Sequence, residues 1–232
     1  MIDAGFLPQN FFQRSTFNGS AAAFFFQQDD GVPATTPVWD WLHQGGLQFY
    51  LTKHCRSNRL DGEVSPHAYL DGEGIVVEHG AVVEAGAYVR APCYIGADCQ
   101  IRHGAYLRGN IVAGRGCVLG HGTEVKNSLL LDGAKAGHFA YIGDSLLGSH
   151  VNLGAGTKLA NLKFNYKQRP IRLQIKTQDL RVVIAAPKLG AILADHVQTG
   201  CNVVLNPGTV VSESGAIISS NTKLKISPTH LR

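Results

Sequence analysis

Arg108 and Lys126 are two cations separated by three steps of six, and His138 follows two such steps later. In a fold whose period matches that spacing the two cations would stack on one face, where an anion between them relieves their repulsion. Two solvated surface cations are the plainer alternative. His138 lies in Lys135-Ala-Gly-His-Phe-Ala-Tyr141. Imidazole titrates near neutral pH, so it can accept a proton from a substrate amine; a solvated turn histidine is the competing reading. Asn152 and Asn161 flank Leu153-Gly-Ala-Gly-Thr157. Asparagines there either contact a ligand or serve left-handed turns.

The element that must position these residues is a repeat. From Val77, steps of six reach Val83, Val89, Ile95, Ile101, Leu107, Ala113, Leu119, Val125, Leu131 and Gly137. A second track of mostly small residues runs through Ala81, Ala87, Cys93, Cys99, Ala105, Ile111, Cys117, Thr123 and Leu129. Gly and Asx crowd the positions between and supply the positive φ that corners need. Period six describes a chain that makes a short strand, turns, and repeats. Three hexads close one triangular coil, and stacked coils form parallel sheets around a narrow core. After Gly137 the phase slips, resuming at Ile142, Leu147, Leu153 and Leu159; a later run holds Leu193, Thr199, Leu205, Val211 and Ile217. Arg108 follows inward Leu107, and Lys126 follows inward Val125, so both point outward. The slip beside His138 is the kind of local rule-breaking expected at a functional site.

The composition agrees. Of 232 residues, 27 are glycine and 16% are charged, against ~25% charged in ordinary globular proteins. A hydrophobic fraction of 44% argues against disorder, and the glycine argues against a helix bundle. The net charge of +4, with no Lys/Arg run, gives no footprint for nucleic acid. There is no apolar run of membrane-spanning length and no signal-peptide pattern. Five cysteines without a CxxC read as reduced thiols in a cytoplasmic protein, those on the small track as space-fillers.

Residues 1–62 are rich in phenylalanine, hold Trp39 and Trp41, and lack hexads. Thr36-Pro37 resembles a helix start and Gly45-Gly46 weakens that helix. The segment is expected to be an aromatic-rich cap or linker remnant on the first coil. Residues 63–232 form the repeat domain, with a β-hairpin insertion at 168–188, where Ile171–Ile175 and Leu180–Ile184 flank Lys176–Asp179.

The hexads are those of the left-handed parallel β-helix, the handedness being given by the resemblance. The segments Lys126-Asn-Ser, Lys135–Asp144 and Val151–Thr157 resemble the acetyltransferase domain of bacterial bifunctional glucosamine-1-phosphate acetyltransferase/N-acetylglucosamine-1-phosphate uridylyltransferase. The likeness runs without gaps from about Ala105 to Lys167. It implies His138 as general base. It implies Arg108, Lys126 and Lys167 as sugar-phosphate ligands, with Tyr141, Asn152 and Asn161 binding the sugar and orienting the base. The later segment Lys188–Gly200 with Leu205–Gly208 resembles archaeal-type sugar-1-phosphate nucleotidylyltransferase/acetyltransferases. Positions contacting acetyl-CoA fall on Ala155, Cys201 and Ser219, and backbone N–H groups around Gly154-Ala155 are implied for the oxyanion. The loop Asn161-Leu-Lys-Phe164 departs from that family's pattern.

The resemblance thus implies an all-β, homotrimeric, acetyl-CoA-dependent N-acetyltransferase. Its acceptor would be glucosamine-1-phosphate or galactosamine-1-phosphate. It would need no metal, bind neither nucleic acid nor membrane, and carry no nucleotidyltransferase domain in this chain. Zinc as in γ-class carbonic anhydrases is not expected, because no two of the ten histidines lie five apart. Two alternatives stay open. One is a non-catalytic trimer that binds sugar phosphate or regulates a partner. The other is an N-acyltransferase on a nucleotide-linked amino sugar, with Trp39 or Trp41 against the base.

Overall fold

A computed structural model describes residues 38–43, 46–164, 171–176 and 181–219. Short strands alternate with turns and stack as three parallel sheets of eight, eight and seven strands. The first runs from Arg59–Leu60 to Thr209–Val211, the second from Glu63–Val64 to Ile217–Ile218, the third from Tyr69–Asp71 to Val204–Leu205. The chain visits them in turn, so this is the parallel β-helix that the hexads require, consistent with the left-handed type. The inward aliphatics from Val77 to Val125 are all 0–1% exposed, and Cys93, Cys99 and Cys117 fill the small track at 0%. Corners use positive φ at Asp98, Asn110, Asn127, Asp144 and Asn202 as well as at glycines. A two-stranded antiparallel ladder, Ile171–Lys176 with Arg181–Ala186, interrupts the coils where the hairpin is expected.

The phase slips earlier than the stepping by six suggests. Ala113 pairs with Leu130, one position short of three full hexads, so Leu130 and Ala136 take the inward track instead of Leu131 and Gly137. Ser128, not Leu129, continues the small track above Ile111. The cause is a turn one residue shorter between Val125 and Ser128, and in the run Leu129-Leu130-Leu131 that follows composition cannot say which leucine turns inward. At the far end Ile218 pairs with Thr199 and is buried, while Ile217 is 75% exposed. One extra residue in the turn after Val211 shifts the register.

The N-terminal cap also sits elsewhere than expected. Two helices, α1 (Asp40–His43) and α2 (Gly46–His54), lie against the outer face of the first sheet rather than on the first coil alone. Val38, Trp39, Trp41, Leu47, Tyr50 and Leu51 pack there on Val76, Tyr94, Val112, Leu129, Leu131, Leu146 and Ile192. The inner strands of the first sheet are therefore buried on both faces, which is why they read as unbroken apolar triplets such as Ile75-Val-Val77. Trp39 and Trp41 are 3% and 0% exposed, so neither is available to stack on a nucleotide base. The expected helix-start pair Thr36-Pro37 and the site residue Lys167 lie outside the described residues.

Cys201 is exposed, while the other four cysteines are buried. Burial pushes the Cys55 thiol up to about 12 and holds the Cys93 thiol well above its ordinary value, disfavouring the reactive thiolate. The native protein is expected to show one fast-reacting thiol in a DTNB titration, removed by Cys201→Ser, with four more appearing only on denaturation.

Candidate functional site

The site residues fall on two edges of the third sheet. Strands Tyr106–Leu107, Glu124–Lys126 and Tyr141–Gly143 are neighbours in register, which sets Arg108, Lys126 and Gly143 in one column. Each cation has a carboxylate. Arg108 Nη1 lies 2.6 Å from Glu124 Oε1, and Lys126 Nζ lies 3.2 Å from Asp144 Oδ2. The spacing alone left the anion between them to a ligand; the structure supplies one to each from the chain itself. The two pairs differ in kind. Arg108 and Glu124 have side chains 41% and 34% exposed, and such pairs are worth ~0–1 kcal/mol, so an incoming phosphate displaces the contact at little cost. Asp144 is only 6% exposed, and it fixes one of the three Lys126 donors while the others stay available.

Asp144 is the hub of this region, a role that the sequence pattern did not reveal. Its carboxylate also accepts from Asn127 Nδ2 at 2.7 Å and from the Asn161 side-chain amide. Tyr141 donates to Asn161 Oδ1 at 3.3 Å. Partial burial, with Glu124 and Asp144 nearby, raises the Tyr141 phenol above its ordinary value, so it remains a donor at neutral pH. Lys126, Asp144, Asn161 and Tyr141 thus form one hydrogen-bonded chain. The signal for Asp144 was its place at a corner one coil above Lys126: its own N–H donates to the Lys126 carbonyl at 3.1 Å.

A cleft of about 360 Å³ opens along this column, lined by Arg90, Arg108, Gly109, Asn110, Lys126, Asn127 and Asp144. Arg90 was also missed, though it stands one full coil before Arg108 and so obeys the same spacing. A second recess of about 510 Å³ is lined by Tyr141, Lys158, Ala160, Asn161, Leu162 and Val204.

His138 stands at the corner where the second sheet turns into the third. It pairs with His121 at the end of the strand Lys135–His138. Gly120 and Gly137 precede them, and a Cβ on Gly120 would fall 1.7 Å from the Gly137 carbonyl oxygen, so this close approach admits only glycine. The His138 side chain is exposed, and its ring nitrogens have no hydrogen-bond partner among the described residues. Phe139, at φ 53°, carries the chain from His138 toward Tyr141.

Ala155 lies one coil above His138, since Gly156 N–H donates to the His138 carbonyl at 3.0 Å. Cys201 follows above Ala155, with Asn202 N–H on the Ala155 carbonyl at 2.8 Å. Ser219 reaches the next coil beside Gly200. His138, Ala155 and Cys201 are thus brought into one corner column. Asn152 is not part of either group: it lies exposed on the second sheet between Lys135 and Gln198. The Gly154 N–H is taken by Thr199, through both its carbonyl and its hydroxyl at 3.0 Å, so of the implied oxyanion donors the Ala155 N–H is the open one.

These features define a hexad-built parallel β-helix with a polar, cation-bearing column beside an exposed corner histidine. Residues 89–226 match the family described as the GMPPB C-terminal domain, and the chain belongs to that family. It is 40% identical over 88 residues to a bifunctional sugar-1-phosphate nucleotidylyltransferase/acetyltransferase of Sulfurisphaera tokodaii, covering 38% of this chain and 21% of that protein. It is 38% identical over 99 residues to the bifunctional protein GlmU of Methanococcus maripaludis, covering 43% of this chain and 23% of that one. The chain therefore matches less than a quarter of the length of these curated relatives. A solved perosamine N-acetyltransferase from Caulobacter crescentus, in complex with CoA and GDP-perosamine, is similar over 53% of this chain and 58% of its own at 20% identity. Its TM-score of 0.28 is too low to bear on the site. Among the described residues no helix is long and apolar enough to cross a membrane.

Proposed function

We propose that the protein transfers the acetyl group of acetyl-CoA to the amine of an amino-sugar 1-phosphate, glucosamine-1-phosphate or galactosamine-1-phosphate, as a cytoplasmic homotrimer. The observation that carries this reading is the third sheet, with Arg108, Lys126 and Asn161 along its far edge and Tyr141 bonded to Asn161 from the side nearer the His138 corner. The relatives named for acetyl transfer support it.

In this reading Arg108 and the two spare Lys126 donors hold the phosphate, with Lys167 as a further ligand. Tyr141 and Asn161 hold the sugar. His138 takes the proton as the amine forms its C–N bond to the acetyl carbon; the C–S bond breaks and that proton passes to the departing thiolate. The Ala155 N–H offsets charge developing on the acetyl oxygen, and the corner through Ala155, Cys201 and Ser219 provides the co-substrate's path. Holding the amine against an already activated thioester supplies much of the acceleration without a metal.

Thiol release from acetyl-CoA, followed across a panel of amino-sugar phosphates, tests the reading. Release with one of the two hexosamine 1-phosphates is expected. Calorimetric binding of sugar phosphate without thiol release from any acceptor would instead establish the non-catalytic binding protein, a reading favoured by the altered loop Asn161-Leu-Lys-Phe164.

A further inference from the structure

The third sheet carries a second pattern, running from the site toward the first coils. Tyr69, Tyr88 and Tyr106 are register partners on successive strands. The Tyr69 and Tyr88 rings stack at 4.9 Å, and Tyr106 meets Tyr88 edge-on at 5.2 Å. Tyr69 is 60% exposed and Tyr106 37%, so the ladder presents rings to solvent. Beside it runs the cation column. The Arg90 guanidinium lies 5.9 Å from the Tyr88 ring centre, and that of Arg108 lies 5.9 Å from the Tyr106 ring centre. The cleft that begins at Lys126 and Asp144 continues past Arg108 to Arg90.

With strands ~4.8 Å apart, three cations on successive coils span ~10 Å. That is more than one phosphate needs, and aromatic rings flank the end remote from the sugar residues. From Asn161 downward the surface offers hydrogen-bond donors and then cations, with the Tyr106 and Tyr88 rings beside Arg108 and Arg90. We infer that this surface also binds a nucleoside diphosphate, so that an amino sugar linked to one is a second acceptor beside the sugar 1-phosphate. The sugar would lie at Tyr141 and Asn161, the diphosphate along Lys126, Arg108 and Arg90, and the base on Tyr106. The sugar end of this assignment rests on the acetyl-transfer reading; the nucleotide end rests on the ladder and cleft. Aromatic cross-strand pairs also stabilise sheets by themselves, and the test separates that role from ligand stacking.

Calorimetry on the full chain would compare UDP and GDP with inorganic pyrophosphate and glucosamine-1-phosphate at fixed salt. UDP or GDP is expected to bind at least about tenfold tighter than pyrophosphate, the order of gain from one stacked base. Tyr106→Ala should remove that gain and leave pyrophosphate binding unchanged, whereas Tyr106→Phe should keep it. Arg90→Ala should weaken nucleotide and pyrophosphate alike. Equal binding of nucleotide and pyrophosphate, or an unchanged nucleotide affinity in Tyr106→Ala, overturns the proposal. So does a Tyr106→Ala protein altered in oligomeric state alone, which makes the ladder an interface between copies. Thiol release measured in parallel keeps the two readings apart. Tyr106-dependent nucleotide binding with no release from any acceptor supports the nucleotide site and overturns acetyl transfer. Release with the sugar phosphate and no nucleotide gain does the reverse.

Discussion

Replacing His138 with alanine is expected to lower kcat for acetyl transfer by ~10²–10⁴-fold while the KM for sugar phosphate stays within a few-fold, because general-base assistance is realised in the transition state. The geometry makes the two effects separable. His138 is exposed at the corner between the second and third sheets, whereas the cations and the Asp144 network lie along the far edge of the third sheet. No buried contact is lost with the ring, so the melting temperature should hold. Added imidazole should restore part of the rate. A variant that kept the wild-type kcat would remove His138 from the chemistry.

The second large effect is expected at Asp144. Asp144→Ala strands the Lys126 ammonium, itself only 20% exposed, and leaves the Asn127 and Asn161 amides without their acceptor. Breaking a fully buried charge pair costs ~3–5 kcal/mol, and the lower end applies because Lys126 keeps some water. For a chain of this size that corresponds to a fall in Tm of roughly 6–12 °C. The sugar-phosphate KM should rise as Lys126 and Asn161 lose their fixed positions. Removing the stranded charge as well, in Lys126→Met with Asp144→Ala, should destabilise less than the two single changes together. A single variant melting within a degree of wild type would mean that Asp144 is not the hub of this network.

The hexads made the core legible because each inward position repeats the same choice: Val83, Val89, Ile95 and Ile101 need no partner to be identified. Where neighbouring positions were all apolar, that signal failed. Leu129, Leu130 and Leu131 are all buried, the middle one in the coil and the outer two beneath the helices. The same apolar triplets on successive first-sheet strands were the readable sign of a covered outer face, since a sheet buried on both sides shows no alternation.

At the site, coil-by-coil stacking carried Arg108 to Lys126, whereas Ala155 came from the resemblance and not from the period. What stacking could not carry was pairing. Glu124 reaches back almost a coil to Arg108, and Asp144 reaches a coil back to Lys126 and nearly a coil forward to Asn161. Those choices depend on rotamers across coils rather than on the period. Asn152, matched to the same motif, sits a strand away because a single hexad moves a residue to the next sheet.

The coil also sets what changes of length the chain can absorb. Leu147 and Leu193, Leu153 and Thr199, and Leu159 and Leu205 are register partners although the whole insertion lies between the members of each pair. The extra chain leaves after Asn161 and rejoins before Gly190, and every column above it resumes in register. Insertions of almost any size are thus accommodated at a corner, because the path exits and re-enters at one place. Inside a coil the tolerance is narrow. Gain or loss of a whole coil would lengthen or shorten the ladder below Arg90 without disturbing the residues above it. Loss of a single hexad would deliver the Arg108 column to a different face. Across homologues, length differences below the site should therefore cluster at whole coils, and all others should map to the bends.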